Sequence, residues 1–218
     1  RFKESLPVEQ RSKTGVVSTF RSFGVIVHNR RYMLYVLQLA FAQGILFAYI
    51  ASSPFIVQQH YGFSPLAFSV CFAVNAVAIG VAAALSVKFR RTENGTLIGC
   101  VGMLCLSLCL MGALYSGCSF WTYELLMFAL LFMMGLTFTS STTLAMDSER
   151  RYAGAASALL GALCSASGGI VSPLVGLGNI LVSTGITFVV CAICSLLCAL
   201  WAMRRMATKV AVYTVMKD

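Results

Sequence analysis

The sequence predicts an all-α membrane protein, a bundle of six transmembrane helices, and three observations carry that prediction. Of the 218 residues, 59% are hydrophobic and 11% are charged. The mean hydropathy of +0.85 leaves too little polar surface to clothe a water-soluble domain. Six apolar runs, each long enough for a hydrocarbon core that takes about 20 residues, fall at 32–57, 66–87, 95–117, 120–146, 153–177 and 182–203. The basic residues sort to alternate connections, which fixes the register of the six runs against one another.

All sixteen Lys and Arg share one predicted side. They lie before the first run (Arg30 and Arg31 among them), between the second and third (Lys88, Arg90, Arg91), between the fourth and fifth (Arg150, Arg151) and after the sixth (from Arg204). The opposite connections, 58–65, 118–119 and 178–181, hold none. The positive-inside rule then predicts cytoplasmic ends for residues 1–31, a connecting segment, and 204–218, a short tail. This distribution accounts for the net charge of +9 without a nucleic-acid partner. The lipid bilayer is the expected surrounding.

The first span carries Gln38, Tyr49 and Ser52 on one face, with Pro54 near its far end, where a missing N–H invites a break. The second contributes Asn75, and the fourth contributes Met134, Thr137 and Ser141. Hydroxyls in membrane helices often bond back to their own i−4 carbonyl, and a lone Asn often ties helices together. The competing reading is a central cavity whose Met, aromatic and hydroxyl groups repack around varied apolar ligands.

In the fifth span Gly154, Ser157, Gly161 and Gly168 advance by helical steps, forming a small-residue stripe for close packing or for sliding against a partner helix, and Pro173 permits a bend. The third and sixth spans share a Cys/Leu/Ser texture at 100–110 and 189–200, as a 3+3 inverted repeat would give, and read as lipid-facing.

Eight of the nine cysteines lie in predicted spans, where they act as small apolar side chains, and Cys191, Cys194 and Cys198 lack the His or carboxylate a metal site needs. Neither a metal nor a cofactor is expected. No Asp, Glu, Lys, Arg or His sits deep in a span; Glu124, early in the fourth, reads as interfacial. An intramembrane protease would need a Ser/His dyad or a metal, and the only histidines, His28 and His60, fall in predicted loops.

Three segments carry a family resemblance. Glu4-Ser5-Leu6-Pro7 resembles the Glu-Thr-Leu-Pro segment closing the sixth helix of the Bcr/CflA (bicyclomycin/chloramphenicol resistance) drug exporters of the major facilitator superfamily. Residues 49–76 are similar to that family's seventh helix, loop and eighth helix, and 153–161 to the start of its eleventh. The resemblance implies a C-terminal half of a twelve-helix exporter exchanging protons for small amphipathic drugs by alternating access. An N-terminal six-helix half would be its partner, bearing the proton-coupling residue and the loop motif of which Lys88, Arg90 and Arg91 are a degenerate echo. It also implies a cavity lined by the first, second, fourth and fifth spans, in a multi-pass bacterial inner membrane protein. A self-contained six-helix channel or membrane assembly module is the alternative. The charge sorting predicts that Cys118 reacts with a membrane-impermeant thiol reagent added outside cells, whereas a cysteine introduced beside Arg91 does not; the reverse labelling would overturn the orientation.

Overall fold

The computed structural model describes residues 16–89 and 91–215, with side chains described over 22–89 and 91–204. The Glu4 to Pro7 segment, Arg90 and the last three residues of the tail lie outside the described residues. Seven α-helices follow in order: α1 (Val16–His28), α2 (Arg30–Pro54), α3 (Pro65–Ser86), α4 (Thr92–Tyr115), α5 (Phe120–Asp147), α6 (Ala153–Val175) and α7 (Ile180–Val215). Among the described residues six stretches, from Arg30–His60 to Ile180–Arg204, are long and apolar enough to cross a membrane.

Local chemistry sets the helix ends. Asn29 caps α2 by accepting from the Arg31 and Tyr32 amides. Ser64 caps α3 through the Ala67 amide, with Pro65 in the first turn where its missing N–H costs nothing. Ser119 caps α5 through Thr122, and Asn179 accepts from Leu181 and Val182 at the start of α7. The three tight connections α2/α3, α4/α5 and α6/α7 each place a glycine at positive φ: Gly62 at 73°, Gly117 at 72° and Gly178 at 79°. A side chain there would be strained. These turns define one end of the bundle, the glycine end. Lys88, Arg91, Arg150 and Arg151 lie at the other, the basic end.

Three sequence expectations need correction. The 1–31 connection is not all loop: α1 occupies its second half and packs on α2 and α6, burying Ile26 while Val25 and Val27 stay half exposed. Helix α7 runs on to Val215, so the expected tail from 204 begins as a continuation of that helix, although the membrane-capable stretch ends at Arg204, beside the expected 203. Pro54, expected to break the first span, instead leads into a π-helical turn, Phe55–His60. The wider turn reroutes hydrogen bonding past the missing N–H and carries the helix to His60.

Helices α2, α5, α4 and α7 close a ring, each packing on its neighbours, with α3 attached to α5 and α6 attached to α2. Exchanging α2 with α5, α3 with α6 and α4 with α7 leaves this pattern of principal contacts unchanged. Because α2 and α5 run in opposite directions, that is the pairing of an inverted 3+3 repeat. The expected third/sixth resemblance is one of its three correspondences.

Glycines set the helix separations. A Cβ on Gly135 of α5 would lie 2.5 Å from the Ile79 carbonyl oxygen of α3, and one on Gly168 of α6 would lie 2.6 Å from the Phe47 ring of α2. Gly44 of α2 faces Cys191 of α7, Gly185 of α7 faces Met111 of α4, and Gly95, Gly99 and Gly102 line the α4 face against α5. Between membrane helices, where lipid is as apolar as leucine, such close approach supplies the packing.

We expect Gly135→Val in the purified chain to lower the thermal unfolding midpoint, since overpacking a tight contact costs about 1 to 3 kcal/mol. Gly154→Ala, which meets nothing within 4 Å, should leave the midpoint unchanged.

Candidate functional site

At the glycine end three helices converge on a small polar cluster. Asn75 of α3 donates from one nitrogen to the Tyr49 hydroxyl of α2 at 3.1 Å and to Glu124 Oε1 of α5 at 2.8 Å. The Tyr49 ring stacks on Phe72 with centroids 5.6 Å apart and planes 12° apart. Asn75 and Tyr49 are buried and Glu124 is half-buried. Of the cavity candidates, Tyr49 and Asn75 are therefore brought together. Glu124 joins them, although its position in the sequence suggests only an interfacial acid.

The others point elsewhere. Gln38 is fully buried against α4 and α7, donating to Ser195 Oγ at 3.0 Å and approaching the Cys100 thiol at 3.5 Å, while Ser195 Oγ donates back to the Gln38 carbonyl at 3.2 Å. Ser52 and Thr137 donate to carbonyls one turn earlier in their own helices, Ala48 at 2.8 Å and Met133 at 3.0 Å. Ser141 pairs with Thr96 of α4 at 3.1 Å, and Met134 lies in the buried core. These five face the interior of the six-helix bundle, so the structure does not place them on an open cavity wall. The physical reason is the ring itself: α2 and α5 turn their polar sides toward α4 and α7, whose buried faces carry Thr96, Ser107, Thr184 and Ser195. The third and sixth spans are accordingly not purely lipid-facing. Their outer sides expose Val101, Leu108, Ile186 and Val190, while the inner sides hold hydroxyls.

The expected packing stripe of α6 divides. Gly168 packs on Phe47, but Gly154 and Gly161 meet nothing within 4 Å, and Ser157 is exposed. Helix α6 buries Ala156, Cys164, Val171 and Val175 instead. Helix α3 likewise turns Ala78 and Ala82 inward and exposes Leu66, Val70, Val74, Val77 and Val81. Pro173 sits in the last turn of α6, on the wall of a 730 Å³ cavity that also meets Phe55, Gln59, His60 and Ser172. Its place so near the helix end confines any bend it permits to the last turns of α6.

An aromatic layer covers the glycine end. Tyr61 packs on Phe120 and Tyr123 with centroids 5.6 and 5.8 Å away, and its hydroxyl donates to the Cys118 carbonyl at 3.1 Å. Burial pushes the Tyr61 phenol above its ordinary value near 10, and its bond to the Cys118 thiol adds to the rise. At the basic end Asn29 donates to Glu149 Oε1 at 2.5 Å and Tyr32 to the Ala156 carbonyl at 2.5 Å, tying the start of α2 to the α5/α6 connection.

Paired inverted helical triplets, polar contacts inside the ring and two outlying helices with uncovered faces define a multi-pass membrane protein built as half of a larger helical fold. The profile of the Major Facilitator Superfamily matches residues 2–173, and the chain belongs to that superfamily, whose members are transporters. It is 35% identical over 167 residues to YdgK, an uncharacterized MFS-type transporter of Bacillus subtilis (strain 168), a match covering 75% of this chain and 41% of the relative. The chain thus spans about two fifths of the length of the curated relative it matches.

The buried network predicts that Gln38→Ala destabilises the bundle, since Ser195 loses a donor in a site closed to water, at a cost of about 1 to 3 kcal/mol. A thermal melt of the purified variant checks this; an unchanged midpoint would show that the Gln38 amide contributes nothing to cohesion.

Proposed function

We propose that this chain forms the C-terminal half of a secondary transporter that exports small amphipathic drugs in exchange for protons by alternating access, as the Bcr/CflA exporters do. The observation that carries the proposal is the pair of uncovered faces on α3 and α6. Helix α6 presents small residues to the outside at Gly154, Ser157 and Gly161, while α3 presents a valine-rich stripe. A second six-helix bundle, the N-terminal half, is the partner these faces fit: small residues permit backbone approach, and the matched relative is longer than this chain. The basic end then lies in the cytoplasm of a bacterial cell, with both termini inside.

In this arrangement Tyr49 and Asn75, buried where α2, α3 and α5 meet, open onto a cavity between the halves when the halves rock. Gly154, Ser157 and Gly161 form the seam against which the halves rock, and Pro54 and Pro173 mark its end.

Two outcomes test the proposal. The chain expressed alone should confer no drug resistance, and co-expression with a matching first half should restore export; proton-driven export by the chain alone would sink the half-transporter reading in favour of a self-contained assembly. In the complete protein, Asn75→Ala should shift drug potencies by about two- to tenfold, the effect of one hydrogen bond, while Cys105→Ala on the exposed side of α4 leaves them unchanged.

A further inference from the structure

Glu124 is a carboxyl group held within a helical bundle without an ion-pair partner among the described residues. It lies in the second turn of α5, where Asn75 Nδ2 reaches its Oε1 at 2.8 Å. The ion pair of Arg150 with Asp147 is at the opposite end of α5. The ionisable groups that face Glu124 are the Tyr49 phenol of α2, the Cys71 thiol of α3 and the Tyr123 phenol of α5 itself. All three types are ordinarily neutral near pH 7. None offers a compensating charge.

Two further polar atoms beside the carboxylate are buried and unpartnered. Asn75 Oδ1 accepts no hydrogen bond although its residue is 1% exposed, and the Tyr123 hydroxyl is unpaired in a residue that is 0% exposed. A buried amide oxygen with no donor costs about 1 to 3 kcal/mol, so a ligand that supplies a donor there gains by it. A proton on Glu124 neutralises the carboxylate but leaves Asn75 Oδ1 as it was. An ammonium group, with several N–H donors on one positive charge, satisfies both. The Tyr49/Phe72 stack beside it offers an aromatic face for the cation and for adjoining hydrocarbon.

We propose that Glu124, Asn75 and Tyr49 form a binding site for the ammonium group of an amphipathic amine. Glu124 takes the charge, Asn75 Oδ1 accepts a second N–H, and the Tyr49/Phe72 stack receives the neighbouring carbon chain. The proposal deepens the transport reading by naming a substrate class. It does not depend on export for its test, because α2, α3 and α5 all belong to this chain.

The test is fluorescence titration of the purified 218-residue chain with a dansyl-labelled alkyl primary amine and with its N-acetylated, uncharged counterpart. The amine should bind about ten- to a hundredfold more tightly, the range expected of charge-assisted hydrogen bonds. Glu124→Gln, which keeps an oxygen for Asn75 to reach, should bring the two ligands to near-equal affinity, and Asn75→Ala should weaken the amine about two- to tenfold. Lowering the pH through the carboxylate range should erase the preference in the unaltered chain, a measurement that stands even if a variant fails to fold. Equal binding of both ligands by the unaltered chain, a preference that survives Glu124→Gln in a helical, monodisperse sample, or a preference indifferent to pH each overturns the site. Amine selectivity in a protein whose complete form exports nothing would leave this site in place and remove the transport reading; export without amine selectivity would do the reverse.

Discussion

The bundle depends on how closely its backbones approach. Hydrocarbon gives membrane helices no reason to shed solvent against one another, so cohesion rests on van der Waals packing and on the few hydrogen bonds that cross between them. In this chain the approach is set by glycines placed where a methyl group would collide: Gly135 beneath the Ile79 carbonyl, Gly168 beneath Phe47, Gly44 against Cys191 and Gly185 against Met111. These contacts include one from each outlying helix to the ring and one from α7 to each of its two ring neighbours. Once the backbones are that close, short side chains suffice to link them, which is why Ser195 can reach Gln38 and Ser141 can reach Thr96.

The same constraint explains what was legible in the sequence. Span number, span length and register follow from hydropathy and charge, which act residue by residue and need no knowledge of neighbours. The fate of each polar residue does not follow. Gln38 and Asn75 look alike in the sequence, each an amide in an apolar run, yet one is sealed between α2, α4 and α7 and the other bridges α2 and α5 near the glycine end. What separates them is which helix lies beside each, and that partner is 157 residues away in one case and 49 in the other. Glu124 was readable as an acid near a helix start; its bond to Asn75 was not, because no spacing rule links α3 to α5. The small-residue stripe of α6 was correctly visible as a stripe, but its direction was not, since a helical period gives a face without saying what it faces.

Membership of the major facilitator superfamily gives these faces a common frame. The pattern of contacts that survives exchange of the first three spans with the last three puts α2 and α5 in equivalent positions, and the polar cluster at Asn75 bridges those two helices. The outlying pair α3 and α6 is equivalent in the same sense but not in composition. One offers valines and the other glycine and serine, so whatever covers them meets a bulky surface on one flank and a smooth one on the other.

The link between Gln38 and Ser195 also bears on the order in which the protein is made. Of the six spans described, α2 is made first, yet its principal partners are α5, α6 and α7, and it meets α3, the helix made next, chiefly through Tyr49. Throughout synthesis of α3 and α4 the Gln38 amide therefore still lacks the hydroxyl it will bind. The ring closes only when the last span arrives. A ribosome that stalls before Ser195 leaves a chain with every earlier hairpin inserted and an unpaired amide in the membrane, a defect that quality-control proteases equipped to sense polar groups in lipid can recognise.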